Sequence, residues 1–206
     1  MIKKVLITGA TGFIGAHLAK KLLAAGNEVH IIIRPDSKTV LLDDIYDKLS
    51  VHIHDGSAEG MINIVHDASP EIVFHLASLF IANHREEDIN ALIYSNLLFG
   101  TQLSEAMVKT GALCLVNTGT SWQHFENEKY NPVNLYAATK QAFEDILKYY
   151  IESKKLKVVS LHLFDTFGDD DPRAKLMKLL KKTMETQIPL DMSPGEQKID
   201  LVHEFK

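Results

Sequence analysis

The sequence predicts an α/β fold with a doubly wound parallel sheet, and three features of its pattern carry that prediction. Short apolar, β-branched runs alternate with longer segments of helical period, as strands covered by crossover helices require. The runs Val5-Leu6-Ile7 and Ile31-Ile32-Ile33 are apolar at every position, so the strands they form should be buried on both faces. The first run ends in Thr8-Gly9-Ala10-Thr11-Gly12-Phe13-Ile14-Gly15 and passes directly into an amphipathic segment, the strand–turn–helix opening of a βαβ unit.

In chain order, strands are expected at residues 3–8, 28–33, 50–54, 72–76, 113–117 and 157–163. Helices are expected between them at 13–25, 38–48, 61–68, 86–110 and 135–153. Gly26-Asn27 and Gly111 sit where helices end, because a residue free to take positive φ closes the last turn. A further helix is expected at 173–186, where basic residues from Lys175 to Lys182 are interspersed with Leu176, Met177, Leu179 and Leu180 and leave one wet face. A last strand is expected at 198–202, only a few residues before Lys206, so the C-terminal lobe reads as truncated.

With 206 residues the chain can build one sizeable core. A net charge of −5 argues against nucleic acid or an anionic membrane as the partner. No apolar run approaches the length that spans a bilayer. Cys114 is the sole cysteine, which excludes an intramolecular disulfide, fits a reducing cytoplasmic compartment, and is expected to serve as a small buried hydrophobe. His52 and His54 alternate along one strand, but two ligands without a third do not make a metal site, and none is expected.

The glycine turn carries the first chemistry. Its spacing lets the backbone turn tightly and lets the helix N-terminus approach a pyrophosphate, with Gly9, Thr11, Gly12, Phe13 and Ile14 as the lining residues. The second strand ends in Ile33-Arg34-Pro35-Asp36. Arg34 suits a 2′-phosphate and favours NADP(H), while Asp36 within reach of the ribose keeps NAD(H) as the alternative. Tyr136-Ala137-Ala138-Thr139-Lys140 puts Tyr and Lys on one helical face. A phenol with a pKa near ~10 is a sluggish acid at neutral pH, and a neighbouring ammonium eases its ionisation by stabilising phenolate.

Together these motifs resemble the extended short-chain dehydrogenase/reductase family, the NAD-dependent epimerases and dehydratases of Rossmann fold, over essentially the whole chain. The family carries T-G-x-x-G-x-x-G in the first turn, as here from Thr8 to Gly15. The resemblance implies that Asp55-Gly56 lies at the adenine and that Leu76, Ala77 and Ser78, in a stretch similar to H-x-A-(A/S), line the dinucleotide. It implies a cofactor-side and proton-relay role for Asn96, although Asn96 and Gly100 stand one residue further apart than in the family's N-V-x-G-T. It implies that Tyr136 and Lys140 are catalytic and bind the nicotinamide ribose, and that Thr118 orients the substrate carbonyl, with Thr120 and Ser121 as rivals.

The stretches 117–124, 131–140 and 164–168 are similar to a bacterial subgroup that includes CDP-abequose and CDP-paratose synthases. That implies an NADP-dependent reductase of a nucleotide-linked 4-keto-6-deoxy sugar, acting in cell-surface polysaccharide precursor synthesis. The alternatives are a sugar-nucleotide 4-epimerase with bound NAD and a truncated, inactive dinucleotide-binding core. Gly119 and Thr120 stand where a dehydratase carries Asp-Glu, which argues against dehydration. The resemblance further implies a nucleotide-binding domain at 1–163, a partial substrate-binding segment at 164–206, and a homodimer through the two long helices.

Overall fold

The computed structural model describes residues 3–168, 171–173, 175–191 and 200–203. They form two compact units, one ending at His162 and one starting at Leu163. The first is built on strands β1 (Lys4–Thr8), β2 (Glu28–Ile33), β3 (Ser50–Ile53), β4 (Ile72–His75), β5 (Cys114–Thr120) and β6 (Lys157–Leu163), in the order β3-β2-β1-β4-β5-β6. The chain leaves β3 at one edge and returns on the far side of β1 as β4. The register Thr8↔His75 aligns the C-terminal ends of these two strands at the point where the winding reverses, the place where such sheets open a ligand crevice.

The alternation within β1 builds both cores. Leu6 packs with Met61, Val65, Leu103, Met107 and Phe143 on one face. Val5 and Ile7 pack with Ile31, Ala16, Ala19 and Leu42 on the other. Each such Val, Leu, Ile, Met or Phe side chain contributes about 1.5–3 kcal/mol by leaving water. Helix α1 (Phe13–Ala24) presents Gly15, Ala16 and Ala19 to the sheet, so its axis lies close. A Cβ on Gly15 would collide with the Gly9 carbonyl.

Several boundaries differ from the sequence reading. Residues 38–48 are not an α-helix but two 3₁₀ turns, Val40–Leu42 and Tyr46–Lys48. Thr39, Val40 and the acidic Asp43, Asp44 and Asp47 are poor helix formers, and within these turns Leu42 alone is buried. Helix α2 (Ala58–Ala68) starts a turn earlier than expected, because the Ser57 hydroxyl accepts from the Gly60 N–H at 2.9 Å and caps it. β5 runs three residues further, through Thr118, Gly119 and Thr120. Cys114 lies at its first position, half-buried rather than buried.

The predicted helix 86–110 is helical throughout but not uniform. A 3₁₀ turn at Glu86–Asp88 leads into α3 (Ile89–Ile93), then a π-helical turn at Tyr94–Leu98, then α4 (Phe99–Thr110) with Gly111 closing it at φ +82. Helix α5 (Leu135–Lys154) is capped by Asn134, whose Oδ1 accepts from the Ala137 N–H at 2.9 Å. In the second unit, β7 (Asp165–Phe167) pairs in parallel with β8 (Leu201–His203), and α6 (Leu176–Thr186) starts three residues later than expected. The strand β7 had no signal in the sequence. Residues 198 and 199 of the last predicted strand lie outside the described residues. Among the described residues, no helix is long and apolar enough to cross a membrane.

Candidate active site

The turn after β1 is shaped by its glycines. Gly9 has φ +73, and a Cβ there would stand 2.6 Å from the Ala77 nitrogen. Gly12 begins α1 without a side-chain cap, and the first helical turn holds no acidic residue. A Cβ on Gly12 would meet only the Gly9 carbonyl, at 3.4 Å, so the approach to the helix N-terminus is open. The backbone N–H groups of the first turn of α1 and the positive end of the helix fit a pyrophosphate. Phe13 is buried and edge-on to His17, so it can offer a ligand its backbone; Thr11 and Ile14 are half-buried at the rim.

At the end of β2, Arg34 and Asp36 form an exposed pair, Nε to Oδ1 at 3.3 Å, in a turn where the Ser37 hydroxyl accepts from the Arg34 N–H. Asp55 accepts from the Ser57 backbone and hydroxyl, both at 2.8 Å, and these bonds hold its carboxyl below the usual range. Gly56 has φ +91, and its carbonyl accepts from Gln102. The rings of His52 and His54 find different partners: His52 lies 2.9 Å from the His30 ring nitrogen, and His54 lies 3.1 Å from the Ser57 carbonyl.

Past β4 the site tightens. Asn96, 2% exposed in the π turn, accepts from the Leu79 N–H at 2.8 Å and donates to the Leu79 carbonyl at 3.0 Å. It also accepts from the Ser78 hydroxyl at 3.2 Å and donates to Thr139 Oγ1 at 2.9 Å. The one-residue excess between Asn96 and Gly100 is absorbed by this π turn, which inserts a residue without breaking the helix. Tyr136 and Lys140 lie one turn apart on α5. Burial raises the Tyr136 phenol above its ordinary range, and a hydrogen bond with the Ser78 side chain opposes that rise. Lys140 is 3% exposed, and burial pushes its ammonium down to about 8, against the pull of the Glu144 carboxylate. Phe80, half in solvent, sets its ring edge-on to both Tyr136 (5.0 Å) and Trp122 (5.5 Å).

Thr118 is buried at the end of β5, and its hydroxyl donates to the His75 carbonyl at 3.0 Å. Thr120 accepts from the Trp122 N–H, and Ser121 opens the following turn. His75 is fully buried between Phe99 and Phe143, with Nδ1 at 2.8 Å from Thr8 Oγ1; burial first and Lys140 second push it down to about 3, so it is neutral.

The sequence profile of the NAD dependent epimerase/dehydratase family matches residues 5–204. The chain belongs to that family. Among its family relatives, the CDP-abequose synthase of Salmonella muenchen is 24% identical over 98% of this chain and 66% of its own length. The CDP-abequose synthase of Yersinia pseudotuberculosis is 26% identical over 97% of this chain and 69% of its own length. The UDP-glucose 4-epimerase of Thermus thermophilus, solved with NAD, superposes with a TM-score of 0.81 at 27% identity, covering 97% of this chain and 70% of that one. The UDP-N-acetylglucosamine 4-epimerase of Methanobrevibacter ruminantium gives 0.84 at 26% identity, with 98% and 69% covered. This chain thus spans about two thirds of the length of these family members.

Three contributors carried no prediction. Thr139 joins Asn96 to the Tyr136 carbonyl, and its hydroxyl within Tyr-Ala-Ala-Thr-Lys was the available signal. Phe80 gave none, and although Thr8 and His75 stand in the quoted motifs, their contact with each other depends on residues far apart in sequence.

Proposed function

We propose that this chain carries the cofactor and catalytic part of an NADP-dependent reductase acting at C4 of a nucleotide-linked 4-keto-6-deoxy sugar, in cell-surface polysaccharide precursor synthesis. The observation that carries it is the pair of half-buried Tyr136 and buried Lys140, one helical turn apart on α5, with Lys140 close enough to His75 at the end of β4 to act on its charge. A bound dinucleotide would supply the hydride to the keto carbon. Tyr136 then gives its phenolic proton to the carbonyl oxygen, leaving an alcohol. The Lys140 ammonium offsets the cost of the phenolate left behind. Thr118, on turning its hydroxyl away from His75, orients the carbonyl. Gly9, Thr11, Gly12, Phe13 and Ile14 bind the pyrophosphate, Asp55 and Gly56 the adenine, Leu76, Ala77, Ser78 and Asn96 the nicotinamide side, and Arg34 the 2′-phosphate. Residues 164–206 begin the substrate-binding part.

A second reading, a 4-epimerase with retained NAD, is favoured by Asp36 beside Arg34 and by the NAD-bound 4-epimerase among the superposed structures. Exposed Ile93, Tyr94 and Leu98 on one helical segment and Tyr149 and Ile151 on α5 support a homodimer. A single half-buried cysteine suits the cytoplasm.

The test is NADPH oxidation by the purified protein with CDP-4-keto-6-deoxyglucose. The reductase reading expects turnover, greater with NADPH than NADH, and its loss in Tyr136→Phe with cofactor binding kept. Interconversion of C4 epimers without added cofactor, by protein purified with NAD bound, would replace it by the second reading.

A further inference from the structure

Phe80 is a large apolar side chain that is 55% exposed on a backbone that is tightly held. Asn96 accepts from the Leu79 N–H at 2.8 Å and donates to the Leu79 carbonyl at 3.0 Å, so both peptide groups flanking Leu79 are clamped. The Phe80 ring stands edge-on to Tyr136, with centroids 5.0 Å apart and planes at 82°, and edge-on to Trp122, at 5.5 Å and 63°.

Trp122 is fixed in its turn. Its N–H donates to the Thr120 hydroxyl at 3.3 Å, and its carbonyl accepts from the Val133 N–H at 3.0 Å. Gln123, fully buried beside it, accepts from the Thr120 N–H at 2.8 Å and donates to Gln141 Oε1 at 3.1 Å. The next residue, His124, stacks on His162, whose Nε2 lies 2.8 Å from Glu144 Oε1. Two aromatic rings on anchored segments thus make a wall beside the phenol proposed as proton donor. Leaving half of the Phe80 ring in water forgoes the burial that stabilises a core aromatic. An open, held apolar face next to reacting groups is the kind of surface that a bound ligand covers.

A carbonyl oxygen that accepts from the Tyr136 phenol comes within about 3 Å of its oxygen. The groups bonded beyond the carbonyl carbon then lie over the neighbouring surface, of which Phe80 is the aromatic part that touches Tyr136. A benzene ring offers a hydroxyl neither a donor nor a lone pair, so a hydroxyl pressed against Phe80 gives up water without replacement. A methyl group in the same place gains by leaving water. In a 4-keto-6-deoxy sugar, the methyl on C5 is the one carbon substituent that bears no oxygen, and C5 adjoins the reacting carbon.

We infer that Phe80, backed by Trp122, is a specificity-determining residue whose open face receives the C6 methyl of the substrate and disfavours sugars hydroxylated at C6. The placement of the sugar rests on the proposed chemistry at C4; the preference at C6 does not need turnover to be measured.

The experiment is calorimetric titration of the chain, saturated with the nicotinamide dinucleotide it binds more tightly, with CDP-6-deoxyglucose and CDP-glucose, and with the same pair as UDP sugars. Each pair differs only by the C6 hydroxyl. The wild type should bind the 6-deoxy member about tenfold more tightly, toward the low end of what an added hydroxyl costs in an apolar pocket, because Phe80 is partly open. Phe80→Ala should bring the two members close to equal by weakening the 6-deoxy sugar, and Phe80→Leu, which restores apolar surface, should keep most of the preference. Both variants should melt near the wild type, since the ring is half in solvent. If Phe80→Ala does not fold, Phe80→Asn decides: it gives the C6 hydroxyl a partner, so a lost or reversed preference supports the proposal and an unchanged one overturns it. Equal affinities in the wild type, tighter binding of the 6-hydroxy member, or binding of none of the four sugars overturns it as well. Weaker cofactor binding in Phe80→Ala with the sugar preference intact would assign the ring to the dinucleotide and overturn the role at C6. Failure of the reductase assay with the preference intact would count against the proposed reaction and not against the wall.

Discussion

Asn96 Nδ2 donates to Thr139 Oγ1 at 2.9 Å across a separation of 43 residues, and Thr139 Oγ1 donates onward to the Tyr136 carbonyl at 2.7 Å. The same amide also holds both backbone groups of Leu79. One buried side chain thus ties the segment after β4 to the first turn of α5. Asn96→Ala strands the Leu79 N–H and carbonyl at roughly 1–3 kcal/mol each, so the expected loss is about 3 kcal/mol. Urea unfolding checks it: the midpoint should fall with the slope unchanged.

Lys140 is expected to oppose stability. Burial lowers its pKa from 10.5 to about 8 in the folded chain. Between those values the unfolded chain binds a proton that the folded chain does not, so stability rises with pH across that window. Below about 8 both states are protonated and the full penalty is present, up to about 3 kcal/mol from a shift of roughly 2.5 units. Lys140→Met should therefore be more stable than wild type at neutral pH and lose activity. The gap between the two in denaturant titrations should close from about pH 8 to about pH 10.5. A constant gap across that range would show that the ammonium is not desolvated.

Local pattern explains what the sequence made legible. The β1 turn and the Tyr136–Lys140 spacing are written in consecutive residues, and so is the two-sided burial of Val5-Leu6-Ile7. The segment 38–48 misled because its apolar residues have helical spacing, while Leu42 and Leu49 reach the core from separate short turns. The extra residue after Asn96 was visible, but its accommodation as a π turn depends on partners at Leu79 and Thr139. His162 and Glu144 meet only because β6 lies beside β5 and α5 packs against β5. No periodicity encodes that meeting.

The three turn glycines should separate folding from binding. In Gly15→Ala the new methyl meets backbone of Gly9 and Ala10, which cannot rotate aside, so a loss of about 1–3 kcal/mol or more is expected. In Gly9→Ala the positive φ adds strain to the contact with Ala77. Gly12→Ala meets only ordinary contact and should unfold near the wild-type temperature. Its methyl lies at the open end of α1, so NAD+ and NADP+ should no longer raise the melting temperature. Retained stabilisation by either nucleotide in Gly12→Ala would remove the pyrophosphate from this turn.

Arg34 and Asp36 give the cofactor choice a direct readout. The Arg34 side chain is 72% exposed, and the Asp36 carboxylate at its Nε is of a kind that would accept from ribose hydroxyls and repel a phosphate. If Arg34 receives the 2′-phosphate, Arg34→Ala should weaken NADPH by about 10- to 100-fold, the worth of a charge-assisted hydrogen bond, and leave NADH nearly unchanged. Asp36→Ala should act in the opposite sense, improving NADPH relative to NADH. Trp122 is the sole tryptophan and touches Phe80, which lies against Tyr136. Energy transfer from its indole to a bound reduced nicotinamide therefore reports binding in each variant without any sugar substrate. Equal weakening of the two cofactors in Arg34→Ala would reduce that residue to a general contact with the adenosine and leave NAD as the cofactor to test first.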